Sequence, residues 1–235
     1  MIDLVIGMGD DTPQNRDQVF MRSAVRACQP PVEIKLITED PLPWHPVVDR
    51  WKLISDYIKA GSYDRVIVCD TFDVVFQYNP FEWLDRQPCD LLLVSEERIF
   101  KNCEGNKRGM LDAFPQYWDE IKEFQIINAG VLAGRANTVA RLCEEIYGLC
   151  QQDARLPFFT PKFQDRLPDQ QALNIIVRHK YKQALITLGY DAWAFQYNHK
   201  HEMRDGVMYN ENGEMYAILH QYLYQWKEEV QKRYA

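Results

Sequence analysis

The chain has 235 residues, of which 46% are apolar and 26% charged, with a formal net charge of −7. That length buries one substantial core and fits a single large domain. The acidic balance excludes a general nucleic-acid binder, whose phosphate contacts demand basic surface, but leaves a nucleotide ligand open because a bound cation can supply positive charge locally.

Ile2 to Gly7 reads as a first strand, ended by Gly7-Met8-Gly9-Asp10-Asp11. Pro13 to Cys28 reads as a helix with Val19, Phe20, Ala24, Val25 and Ala27 on its buried side, stopped by Pro30-Pro31. Val32 to Thr38 is a second strand and Arg50 to Lys59 a second helix, ended by Gly61. Lys52 lies in that helix. A helical lysine usually covers apolar surface with its stem, but on a face turned to the strand ends it would neutralise a phosphate. Arg16 is a similar candidate near the first loop.

The third strand carries the most informative stretch. Val66-Ile67-Val68-Cys69 ends in Asp70-Thr71-Phe72-Asp73, and apolar residues resume at Val74. A β-branched apolar run predicts a buried parallel strand, and ligands in open α/β sheets bind at the carboxyl ends of such strands. Two carboxylates about a turn apart there repel each other and raise at least one pKa unless a cation lies between them. This predicts Mg²⁺ or Mn²⁺ held against a substrate's phosphates. The competing reading has Asp70 capping the next turn and Asp73 in solvent.

Asp90 to Val94 is a further strand, and the β-α-β-α-β alternation predicts a mostly parallel sheet covered on both faces. Asn102 to Arg108 reads as a loop, Phe114 to Phe124 as a short helix, Gln125 to Gly134 as a strand with internal glycines, and Ala136 to Cys150 as a helix. Asn128 is a polar residue inside an apolar run. Its amide both donates and accepts, which suits a sugar hydroxyl, while Gly130 lets backbone approach a ligand closely; a bulged strand would use the same residues. Leu156 to Leu167 reads as a mobile acceptor-side loop. Asp169 to His179 is a helix with Asp169 as its N-cap, or with Asp169 and Gln170 projecting toward a sugar. Asn210-Glu211-Asn212-Gly213 is a hairpin signal. His220 ends an apolar run, either as a third metal ligand or as a hydrogen-bonded core residue, and Gln225 to Tyr234 closes the chain as a helix. The whole reads as one domain, with a nucleotide-binding half over 1–100 and a sugar and acceptor half over 101–235.

The six cysteines show no CxxC pair and suit reduced structural thiols in a cytoplasmic protein. Met1 to Ile6, interrupted by Asp3 and followed by Asp10, is too short for the apolar core of a signal peptide, and no run approaches the roughly 20 apolar residues of a transmembrane helix. The expected location is cytoplasmic or peripheral at a membrane, alone or within a larger multidomain assembly.

Taken in order, the paired aspartates, the Asn128-Ala129-Gly130 strand, the Asp169-Gln170 helix start and the late His220 resemble the nucleotide-sugar glycosyltransferases of the GT-A fold. The pattern is similar to the glycosyltransferase domain of the multifunctional lysyl hydroxylases and the related collagen glycosyltransferases, and more distantly to the glycogenin-like retaining enzymes. The likeness touches the chain from Ile2 to His220 but rests on about a dozen residues. It implies a GT-A, Rossmann-like central sheet flanked by helices, with a smaller irregular acceptor-side region. It also implies a hexosyltransferase taking a UDP-sugar, with retention of configuration. By this resemblance Asp70, Asp73 and His220 hold Mn²⁺ or Mg²⁺. Gly7, Met8, Gly9 and Asp11 border the nucleoside, Arg16 and Lys52 lie near the diphosphate, and Asn128, Gly130, Asp169 and Gln170 face the sugar.

The aspartates are spaced Asp-x-x-Asp, as in the lysyl hydroxylase-like group, where most GT-A enzymes have Asp-x-Asp. The absence of a disulfide plan favours a cytosolic transferase acting on a glycan, lipid-linked or protein acceptor, as in polysaccharide biosynthesis. Two other classes share the layout. A sugar-phosphate nucleotidyltransferase would want a basic glycine-rich loop after the first strand, where this chain is acidic. A non-catalytic carbohydrate- or nucleotide-binding module would leave the metal set idle.

Overall fold

A computed structural model describes residues 2–9, 17–38, 46–153, 168–187, 193–195, 201–222 and 226–234. The first half alternates strands and helices: β1 (Ile2–Met8), α1 (Asp17–Ala27), β2 (Val32–Ile37), α2 (Pro46–Ala60), β3 (Tyr63–Cys69), β4 (Val74–Phe76), α3 (Pro80–Leu84) and β5 (Leu91–Ile99). Then follow α4 (Glu104–Ala113), α5 (Trp118–Ile121), β6 (Gln125–Arg135), α6 (Ala136–Asp153), α7 (Pro168–Lys180), β7 (Leu185–Thr187), β8 (Ala194–Phe195), β9 (His201–Arg204), β10 (Val207–Asn210), β11 (Ile218–His220) and α8 (Lys227–Tyr234).

Six strands form one sheet in the order β2-β1-β3-β6-β5-β7. β1 runs parallel to both β2 and β3, and β5 parallel to β7, while β6 runs antiparallel to its two neighbours. The expected mostly parallel α/β sheet is present, with one reversed strand that the alternation of elements did not announce. Both faces are buried, which is why the strands read as continuous apolar runs. Leu4, Ile6, Val66, Val68 and Leu132 pack on one face with Trp51 and Ile54 of α2 and with α6 and α7. Val5, Ile67, Cys69, Val131 and Ala133 pack on the other with Phe20 of α1 and Phe76. A smaller sheet, β4-β11-β8, leaves the main one just after β3.

Asn102 to Arg108 is not a loop. A 3₁₀ turn over Phe100–Asn102 leads into α4, half of whose residues are polar or charged and which includes Gly105 and Gly109. Only Gly109, Met110 and Ala113 are buried in it, so packing rather than propensity makes the helix. Asp205-Gly206, both at positive φ, connect β9 to β10 as a two-residue hairpin turn, a second turn beside the expected one at 210–213. The Leu156 to Leu167 segment lies outside the described residues. The six cysteines are free thiols, and no helix among the described residues is long and apolar enough to cross a membrane.

Candidate functional site

The two aspartates sit in the link that carries the chain from β3 to β4, where it changes sheets. Three hydrogen bonds tie that link to its surroundings. The Asp70 N–H donates to Gly130 O at 2.8 Å, the Thr71 hydroxyl to Met8 O at 2.9 Å, and the Gln221 N–H to Asp73 O at 3.0 Å. β11 lies antiparallel to β4 with His220 opposite Val74, and this register brings the imidazole under the link. His220 Nε2 is 3.5 Å from Asp70 Oδ2 and 3.5 Å from Asp73 Oδ1. A ligand atom from each residue lies within 4.8 Å of the others.

This donor set fits a hard divalent cation. Neighbouring ligands on an octahedral ion with bonds of about 2.1 Å lie about 3.0 Å apart, so a small inward movement would close the three atoms on Mg²⁺ or Mn²⁺. Two carboxylate oxygens and one imidazole suit Mn²⁺ chemistry. Space is kept by Gly130, where a Cβ would collide with the imidazole and come within 2.8 Å of Asp70 Oδ2.

The charges are tightly coupled. Burial alone would raise Asp70, but the Arg50 guanidinium and His220 hold its carboxyl well below the usual carboxylate range. Burial raises Asp73 above its ordinary value, with His220 pulling against the rise and Asp70 reinforcing it. Burial also opposes charge on His220, yet Asp73 and Asp70 together raise its pKa. Both aspartates thus favour the protonated imidazole over the neutral one.

Arg50 connects this centre to α7. Its guanidinium hydrogen bonds to Asp70 Oδ1 through Nη1 and to Asp169 Oδ2 through Nη2 at 2.8 Å. The Trp51 indole N–H reaches the same Asp169 oxygen at 3.1 Å. Asp169 is buried, and burial raises its pKa against the pull of Arg50 and Trp51. It is the second residue of α7, inside the helix rather than at its cap, and its side chain bonds these two residues of α2. Its anticipated capping role is thus replaced by a buried ion pair.

The amides of Asn128 and Gln170 converge on Glu96 in the second half of β5. Asn128 Nδ2 donates to Glu96 Oε1 at 2.9 Å, and Gln170 Nε2 donates to the same oxygen at 3.2 Å and to Asn106 Oδ1 at 2.9 Å. Gln170 Oε1 accepts from the Ala129 N–H at 3.1 Å, and Asn128 Oδ1 accepts from the Gly130 N–H at 2.6 Å. Asn174, one turn along α7, bonds both N–H and C=O of Ile127 at 2.8 Å. The two amides therefore brace a bulged stretch of β6 and hold the Glu96 carboxylate, whose charge acts on His220.

Lys52 is not brought to this cluster. Its ammonium engages Asp56, one turn on along α2, at an exposed position. Arg50 and Lys52 are separated by roughly 200° around the helix, so only one of them can face the strand ends, and it is Arg50. Gly7 and Met8 end β1 beside Thr71, and a Cβ on Gly7 would meet Thr71 and come within 2.7 Å of Cys69 O. The Gly9 N–H donates to Ile37 O at 3.0 Å. Asp11 and Arg16 lie outside the described residues. Arg50, Trp51, Glu96, Asn106 and Asn174 carry no local signature; a charged residue beside a buried Trp in α2 is the one hint the sequence offers.

No known family profile matches the chain, and no curated protein sequence matches it. Among solved structures, a glycosyltransferase involved in the glycosylation of the major capsid of PBCV-1 superposes on 99% of this chain and 98% of its own, with a TM-score of 0.56 at 10% sequence identity. At that identity the likeness is one of fold, and the six-stranded sheet flanked by helices is the GT-A, Rossmann-like arrangement.

Proposed function

We propose that the protein is a metal-dependent glycosyltransferase that moves a sugar from a UDP-sugar to a glycan, lipid-linked or protein acceptor. The observation that carries the reading is the convergence of Asp70, Asp73 and His220 at the strand ends of this fold. The glycosyltransferase among solved structures supports it by architecture. In this reading Asp70, Asp73 and His220 hold Mn²⁺ or Mg²⁺, which acts as a Lewis acid on the departing diphosphate. Arg50 fixes Asp70 and Asp169 in place and adds positive charge where the leaving group becomes more negative. Gly7, Met8 and Gly9 border the nucleoside. Asp169 and Glu96 line the sugar side, their orientation set by Arg50, Asn128 and Gln170. Retention of configuration rests on the resemblance noted above.

The test is incubation with a panel of nucleotide sugars and Mn²⁺, without acceptor, followed by assay for free nucleotide. Slow release of UDP from one UDP-sugar, abolished by chelation, is the expected result. Pyrophosphate release from a nucleoside triphosphate and a sugar phosphate would instead mark a nucleotidyltransferase. Binding without turnover across the panel would mark a non-catalytic module.

A further inference from the structure

The far end of α7 carries a second opening. A cavity of about 450 Å³ lies between α5, residues 122–124, the last turn of α7 and β7, within the usual range of small-molecule sites. Its lining is mixed: Ile121, Val177 and Ile186 supply apolar surface, Glu120 and His179 lie on it as a bonded pair, and the half-exposed Phe124 ring stands at its side. Arg178 also lines it. The guanidinium carbon lies 4.7 Å from the centroid of the Phe124 ring, and Nη2 donates to Gln125 O at 3.1 Å. Arg178 Nε is buried and has no acceptor among the described residues. Burial lowers the Arg178 pKa, with no acid offsetting it. His179 at the rim is already bonded to Glu120 at 2.9 Å, while Lys182 forms no ion pair among the described residues. A half-buried arginine without a carboxylate partner, set on an aromatic ring above an apolar floor, departs from the rule that buried charges are paired.

We propose that this cavity binds a small amphipathic monoanion, an aromatic or short aliphatic acid. Its acid group takes the accessible part of the half-buried Arg178 guanidinium and the Lys182 ammonium, and its hydrocarbon body covers Ile121, Val177 and Ile186. The site is separate from the metal centre, because Asp169 and Arg178 stand at opposite ends of α7, about 14 Å apart along its axis.

The probe is 8-anilinonaphthalene-1-sulfonate, an aromatic sulfonate whose fluorescence rises in apolar surroundings. Single-site binding is expected, unaffected by saturating UDP and Mn²⁺, displaced by decanoate and not by decanol. Arg178→Gln should weaken it by about tenfold or more, as loss of a charge-assisted hydrogen bond does. Ala184→Trp, which fills the cavity while leaving Arg178 in place, should abolish it. Melting temperatures identify the folded variants, and loss of binding in a folded Ala184→Trp supports the site even if Arg178→Gln fails to fold. No binding to the unsubstituted protein, unchanged binding in a folded variant, or displacement by UDP and Mn²⁺ overturns the proposal.

Discussion

Arg50 is shared between two acids, and the sharing decides what a substitution there does. Arg50→Lys keeps the charge, but a single ammonium cannot span Asp70 and Asp169 as the guanidinium fork does. Arg50→Gln leaves two carboxylates without their cation, and breaking a buried pair from one side costs about 3–5 kcal/mol. We expect urea unfolding to show a loss of that order for Arg50→Gln and a smaller one for Arg50→Lys, with turnover reduced in both. Asp73→Asn behaves differently. Burial disfavours the Asp73 charge and Asp70 repels it, so removing it relieves the metal-free protein while taking one carboxylate from His220. The melting temperature without metal should hold or rise slightly, while turnover at saturating Mn²⁺ falls by orders of magnitude. Turnover that survived the change would remove Asp73 from the metal set.

Among the elements, β6 does most to shape the site. It supplies Gly130, whose missing side chain makes room for His220, and it is braced by Asn174 and Gln170 from α7. Gly130→Ala pushes a methyl into the imidazole, so we expect a stability loss of about 1–3 kcal/mol, the usual cost of overpacking. Mn²⁺ binding by calorimetry should weaken with it; an unchanged affinity would mean that the imidazole is not a ligand. The convergence of Asp70, Asp73 and His220 was legible in the sequence because Asp and His at the ends of apolar runs are chemically conspicuous. Arg50 was not, because nothing local separates it from Lys52 until the helix is docked on the sheet. Glu96 was hidden in the same way: Ser95-Glu96-Glu97 looks like the polar end of a strand, and only the amides of Asn128 and Gln170, distant in sequence, pick out one of the two glutamates. The reversal of β6 was hidden too, since a strand buried on both faces carries the same apolar pattern in either direction.

For the molecule as a whole, the coupled charges set opposite limits on stability. His220 has its folded pKa raised, so its contribution is fully present below its unfolded value of about 6.5 and is lost as pH rises through the folded value. Asp70 has its folded pKa lowered, so its contribution is present above its unfolded value of about 3.9 and is lost as pH falls through the folded one. From these two groups, the metal-free protein should be most stable between those limits. A cation must displace the His220 proton, so Mn²⁺ affinity should rise with pH, by up to about tenfold per unit, until the folded His220 pKa is passed. Calorimetry in buffers of different ionisation enthalpy should record about one proton released per Mn²⁺ bound below that point; no proton release would place His220 outside the coordination set.

The pairing of β11 with β4 has a consequence for synthesis. Asp70 and Asp73 leave the ribosome early and His220 late, and the imidazole reaches the aspartates only when β11 docks in the register that puts it opposite Val74. A slip of one residue would turn His220 to the other face and offer Leu219 in its place. The nascent chain therefore carries its acids for most of its elongation without the imidazole beside them. For the proposed function, binding of an ion by all three groups would be the closing act of maturation, and a polypeptide stalled before β11 would lack the complete set however well its first half has folded.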